Sequence, residues 1–139
     1  MSQPLFDKVS LGDIRLQNRV VMAPMTRSRA AADDSATDLM VQYYRQRASA
    51  GLIITEGVQP SENGKGYCRT PGIYSDAHVA AWRPVVDAVH SQGAAMVLQV
   101  MHCGRIGHPD NKTHNAVNVA PSAITATAEV FTETGMQAV

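Results

Sequence analysis

Three apolar runs punctuate the 139-residue chain: Val20-Val21-Met22 just before Pro24, Leu52-Ile53-Ile54 leading into Thr55-Glu56, and Ala95-Met96-Val97-Leu98 leading into Gln99-Val100. Each is too short for a helix and continuously apolar, the pattern of a strand buried on both faces. They predict strands over 19–23, 52–56 and 95–100, the first stopped by Pro24 because proline cannot donate to a sheet ladder. Between them the period changes. Met40, Tyr43, Tyr44 and Ala48 recur at three- and four-residue steps, predicting a helix that Thr37 opens and Gly51 closes. Ser75-Asp76 predicts a helical turn, followed by a main helix with Pro84 in its first turn, since an interior proline would break the backbone ladder. Trp82, Val86 and Val89 are its expected inward residues, and Gly93 its end. Strands starting near 19, 52 and 94 match the roughly 30 or more residues of a βαβ unit, which makes the class parallel α/β.

The flanking pattern is different. Val9-Ser10-Leu11 and Ile14-Arg15-Leu16 alternate around Gly12-Asp13 and predict a hairpin, and 130–139 predicts a second one around Thr134-Gly135. Residues 28–36 are small and polar, suiting a loop. The long stretch 57–75 holds Gly57, Gly64, Gly66 and Gly72 with Pro60 and Pro71, so it is shaped rather than merely flexible; long loops in compact domains are functional or disordered. Residues 101–121 form a polar loop rich in His and Asn. The sequence stops at Val139 on the returning arm of the second hairpin with no helix to follow, which reads as a cut.

Composition narrows the function classes. Lys plus Arg equals Asp plus Glu at 12 each, so there is no electrostatic reason to expect nucleic acid or an anionic membrane as partner. No run approaches the ~20 apolar residues of a membrane span, and the N-terminus lacks the pattern of a signal peptide, so a cytoplasmic location is expected. Cys68 and Cys103 have neither zinc nor redox-dithiol spacing. His102, His108 and His114 recur every six residues, a spacing that faces one side of no helix, and they read as unaccompanied by a carboxylate; no metal is expected.

Candidate chemistry lies where the strands end. Thr26, Arg27 and Arg29 follow the first strand, Glu56 and Gly57 the second, and Gln99 and Met101 the third. By residue type alone Thr26 is a capping or turn threonine, Gly57 a turn glycine and Tyr67 an exposed loop tyrosine. Gln99, at the end of an apolar strand, reads as a buried amide needing partners for both donor and acceptor.

Four motifs in order, 18–29, Ile54-Thr55-Glu56-Gly57, Gly66-Tyr67 with Pro71-Gly72, and 98–105, closely resemble the N-terminal part of the old yellow enzyme family. The resemblance covers the chain from Pro4 onward. It implies a (β/α)8 TIM barrel, of which residues 1–139 supply a capping hairpin at the barrel's bottom and about three βα units, as the N-terminal part of a single FMN-binding domain. A complete barrel needs about 250 residues. The resemblance further implies non-covalent FMN, NADPH or NADH as reductant, and reduction of activated alkenes, the α,β-unsaturated carbonyl or nitro compounds.

Carried over residue by residue, Thr26 is the catalytic position, its hydroxyl donating to the flavin C4 carbonyl. Ala23, Pro24 and Met25 supply backbone and apolar surface beside the ring. Gly57 lets a ring edge approach the main chain, and Gln99 meets the flavin pyrimidine edge. Tyr67 lines the substrate pocket. Met101 stands where many relatives carry tryptophan, implying a softer and larger pocket. The substrate-gripping pair, the proton-donating tyrosine and the arginines around flavin and phosphate belong further along than residue 139, so a complementary C-terminal fragment is the expected partner. The rival readings are the barrel portion of an iron–sulfur dienoyl reductase and a non-catalytic fragment.

Overall fold

The structure, a computed structural model, describes residues 3–139. A hairpin comes first, β1 (Val9–Leu11) and β2 (Ile14–Leu16), antiparallel with Val9 opposite Leu16. Its turn is Gly12-Asp13, and Gly12 takes φ +57°, a conformation that glycine adopts without steric cost. The core is a three-stranded parallel sheet in the order β3 (Val21–Met22), β4 (Leu52–Val58), β5 (Ala95–Val100). The two crossovers carry α1 (Asp38–Arg45) and α2 (Asp76–His90). A second hairpin, β6 (Glu129–Thr132) and β7 (Gly135–Ala138), ends the chain.

The core forms on the helix side of the sheet. Met40, Tyr44 and Ala48 from the α1 region and Trp82, Val85 and Val89 from α2 pack with Ile53 and Val58, and Met22, Met96 and Leu98 close against them. Because strand side chains alternate, Val21, Ile54, Val97 and Gln99 belong to the other face, which has no helices and is more exposed.

Several elements differ from the sequence expectations. The first strand pairs over two residues only, Val21 with Leu52 and Met22 with Ile53. The first helix ends at Arg45 and reaches Gly51 through turns, and the Thr37 hydroxyl donates to the Arg29 carbonyl rather than capping it. Residues 76–90 are one helix with Pro84 inside it. Ala80, whose carbonyl a non-proline residue 84 would bond, and Pro84 itself are both solvent-exposed, so water can satisfy the freed acceptor. Trp82 and Val89 are buried as expected, but the third inward residue is Val85, not Val86. In the last hairpin the turn is Glu133-Thr134, and Gly135, at φ +114°, opens β7.

The lower end of the sheet, where the strands begin, is closed tightly. Gln17 donates from Nε2 to the carbonyls of Ala48 (3.1 Å) and Ala50 (2.9 Å). Asn18 donates to the Ser49 carbonyl at 2.8 Å and accepts from the Val20 N–H. A Cβ on Gly51 would lie 2.1 Å from the Asn18 carbonyl oxygen, so that position has room for no side chain.

Candidate functional site

All three strands run the same way, so their C-terminal ends collect at one edge of the sheet. After β3, residues 23–27 leave the ladder, and Met25, Thr26 and Arg27 are exposed. The Thr26 hydroxyl has no hydrogen-bond partner among the described residues. Next to it, the Arg27 N–H donates to Glu56 Oε2 at 3.1 Å. Glu56 is 1% exposed, and Tyr44 grips it twice: the tyrosine hydroxyl donates to Oε1 (3.2 Å) and accepts from the Glu56 N–H (2.9 Å). Burial pushes the Glu56 carboxyl above the usual carboxylate range, a shift that the Arg27 N–H, the Tyr44 hydroxyl and the guanidinium charges of Arg27 and Arg29 oppose. Burial, and then the charge of Glu56, pushes the Tyr44 hydroxyl upward as well.

Gly57 does not end its strand, as the sequence suggested, but lies within β4, opposite Gln99, just past a register shift that begins at Ile54. The shift turns both Thr55 and Glu56 into buried positions, Thr55 Oγ1 accepting the Gln99 N–H at 3.0 Å. A Cβ on Gly57 would meet Met101 Cε at 2.5 Å and Sδ at 2.6 Å, so the thioether lies directly over the glycine. Gln99, expected to be a buried amide, is exposed because it sits on the helix-free face. Its side chain, like the Thr26 hydroxyl, has no hydrogen-bond partner among the described residues.

Gly57, Gln99 and Met101 are thus brought together, and Thr26 is tied to them through Arg27 and Glu56. Ala23, Pro24 and Met25 form the rim beside Thr26. Tyr67 stands further out, 39% exposed, on a loop that reaches the strand ends where Gly64 and Gly66 lie against His102 and Cys103.

Sequence reasoning missed what holds these loops. Lys65 and Asp34, 5% and 0% exposed, form a buried ion pair; Tyr74 donates to the second Asp34 oxygen at 2.8 Å and also meets Thr113 Oγ1 at 3.4 Å. Burial pushes the Tyr74 hydroxyl up to about 12. Lys112 Nζ donates to the carbonyls of Asn63 and Lys65, and Asn111 joins those of Gly66 and Phe131. One network therefore links the loops after all three strands. Only Lys65 between two glycines hinted at it. Two of the three histidines also differ from expectation, since carboxylates accompany them: His114 pairs with Glu62 at 2.8 Å and His108 with Asp110 at 3.5 Å, while His102 accepts the Gly104 N–H.

The hydroxyl and amide fit a heteroaromatic ring that presents alternating C=O and N–H groups, because both are unpartnered and together offer donors and an acceptor. Parallel βα units with their free polar groups at the strands' C-terminal ends are the architecture of a (β/α)8 barrel. The chain belongs to the NADH:flavin oxidoreductase / NADH oxidase family, which it matches over residues 4–138. Among solved structures it is similar to the old yellow enzyme homologue from Zymomonas mobilis, with TM-score 0.90 and 42% identity over 98% of this chain and 38% of that one. Morphinone reductase in complex with tetrahydroNAD gives TM-score 0.84 and 43% identity over 99% and 39%. A probable flavin mononucleotide-dependent alkene reductase from Leishmania infantum is 42% identical over 117 residues, 84% of this chain and 32% of that protein. The old yellow enzyme resemblance is thereby shown, and the fold is that of an N-terminal part of the barrel, two βα units followed by a third strand. The chain spans about 30% of the length of the curated relatives it matches.

Proposed function

We propose that this chain forms one wall of the FMN and substrate site of an ene-reductase, a barrel that reduces the C=C bond of α,β-unsaturated carbonyl or nitro compounds with NADPH or NADH. The observation that carries the reading is the pair of unpartnered polar side chains, Thr26 and Gln99, at the C-terminal ends of the two strands that flank β4. FMN, when bound, supplies the carrier that takes a hydride from the nicotinamide and delivers it to the alkene. The Thr26 hydroxyl donates to the flavin carbonyl that gains electron density on reduction, and Gln99 binds the pyrimidine edge. Ala23, Pro24 and Met25 shield one side of the ring from water. Gly57 keeps the strand surface low, with the Met101 thioether above it on the substrate side, and Tyr67 borders the entrance. A flavin mononucleotide-dependent alkene reductase and a reductase solved with a nicotinamide analogue among the relatives support this assignment.

The same reading makes the wall incomplete by itself. β5 is an open edge with Val100 63% exposed, and a cleft of about 290 Å³ between α2 and β5 bares Val86, Met96 and Leu98. A further βα unit laid on β5 would cover both, so the partner is a complementary C-terminal part of the same barrel. No helix among the described residues is long and apolar enough to cross a membrane. The two unpaired cysteines suit the reducing cytoplasm, where we place the protein. Size-exclusion chromatography with flavin detection is the test. Joined with the complementary part, the chain is expected to elute with FMN whose visible band NADPH bleaches. A stable, flavin-loaded monomer of the 139 residues alone would contradict this reading.

A further inference from the structure

Thr26 can offer a well-directed hydrogen bond only if its backbone is held, and that backbone has left the sheet. β3 ends at Met22, and Ser28 takes φ +53° two residues beyond Thr26. Outside the strand ladder, what ties this stretch back to the sheet is the Arg27 N–H to Glu56 Oε2. That amide belongs to the same peptide unit as the Thr26 carbonyl, so fixing it fixes the plane from which the Thr26 side chain projects. The other carboxylate oxygen is held by Tyr44, so Glu56 cannot swing away without breaking a second bond. No basic side chain pairs with it within ion-pair distance among the described residues. A buried carboxylate without an ion pair is a costly group to keep. What it gives in return is a charge-assisted hydrogen bond to a backbone N–H, stronger and more directional than a neutral one.

We infer that Glu56 is a positioning residue for the flavin site: from the buried end of β4 it clamps the Thr26–Arg27 peptide and so sets the hydrogen bond that Thr26 gives the flavin. The inference rests on the reading of Thr26 as a flavin ligand. It assigns Glu56 a role beyond packing against Tyr44, and the two roles separate because each oxygen serves a different partner.

The test is the FMN midpoint potential of the flavin-loaded barrel containing this chain, with amide hydrogen exchange at Arg27 as a readout that needs no flavin. Thr26→Ala is expected to move the potential negative. Glu56→Asp keeps the charge but is one methylene too short to reach the Arg27 N–H; it should give a comparable negative shift and lose protection at Arg27. Glu56→Gln can accept the Arg27 N–H with its carbonyl while its amide donates to the Tyr44 hydroxyl, and it should stay near the wild-type potential with protection retained. The pair Thr26→Ala with Glu56→Asp should shift no further than Thr26→Ala alone, because residues acting through one bond are not additive. A wild-type potential or unchanged Arg27 protection in Glu56→Asp, or an additive double variant, would overturn the role of Glu56 while Thr26 kept its own. An unchanged potential in Thr26→Ala would instead remove the reading of Thr26 on which this one stands.

Discussion

At the lower end of the sheet, Gln17 and Asn18 give their amides to the carbonyls of Ala48, Ser49 and Ala50, and Gly51 is packed against the Asn18 backbone. At the upper end a glutamine and a threonine of similar chemistry, Gln99 and Thr26, have no side-chain hydrogen-bond partner among the described residues. Burial goes with the difference: Asn18 is buried and Gln17 half-buried, whereas Thr26 and Gln99 are exposed. The lower groups close the fold, whereas the upper ones stand free beside a buried scaffold, Glu56 with Tyr44, and the loops around them are held by Asp34 with Lys65. Polar groups that neighbours consume hold the fold, while polar groups left free at the strand ends remain available to a ligand, the role proposed above for Thr26 and Gln99.

The comparison can be broken most forcefully at the upper scaffold. Lys65→Ala strands the Asp34 carboxylate with Tyr74 as its remaining side-chain partner besides Thr113 on the tyrosine, and removing one member of a buried ion pair costs about 3–5 kcal/mol. Urea denaturation should show this loss, and replacing Asp34 and Lys65 together by apolar residues should recover much of it. A midpoint unchanged in Lys65→Ala would mean the upper loops are not held by this network. At the lower end, Gly51→Ala must push a methyl into the Asn18 carbonyl, so a loss of about 2–3 kcal/mol is expected, the upper part of the range for overpacked sites.

Glu56→Gln sharpens the contrast through pH. A carboxyl whose folded-state pKa is raised binds more protons folded than unfolded in that window, so its contribution to stability falls as pH rises from the ordinary carboxylate range through the raised value. Glutamine lacks this penalty. Relative to wild type, the variant should therefore gain stability on going upward through that window and show no such gain below it, read as urea midpoints across a pH series. A difference independent of pH would contradict the raised carboxyl. The smallest effect belongs to Met101→Trp. It should change which size or face of cyclic enone is reduced while leaving flavin reduction by NADPH nearly as it was, and identical product stereochemistry across bulky substrates would take Met101 out of the pocket.

The parallel βαβ order was legible because Leu52–Ile54 and Ala95–Leu98 are unbroken apolar runs at βαβ spacing, and the hairpin at 9–16 because its turn residues and alternation agree. Pro84 misled: a proline inside a helix is tolerated where the freed carbonyl meets water, and exposure of Ala80 is a tertiary fact. The free side chains of Thr26 and Gln99 came from family likeness rather than from pattern, which favoured a turn for the one and burial for the other. Glu56 read as one polar residue at a strand end because the register shift that buries it leaves no mark in the sequence. The Asp34–Lys65 pair joins loops 31 residues apart, beyond the reach of any local period.

The most direct test sets the two glutamines against each other in the complete barrel, by urea denaturation of the flavin-free protein and by FMN titration followed through flavin fluorescence. Gln17→Ala should lower stability by about 1–2 kcal/mol, the worth of two backbone-directed hydrogen bonds, and leave FMN affinity unchanged. Gln99→Ala should alter stability by no more than about 0.5 kcal/mol yet weaken FMN binding about tenfold, the equivalent of about 1.4 kcal/mol. Gln99→Ala that unfolds the protein without touching FMN affinity, or Gln17→Ala that weakens FMN binding in a stable protein, would contradict the division between the two ends.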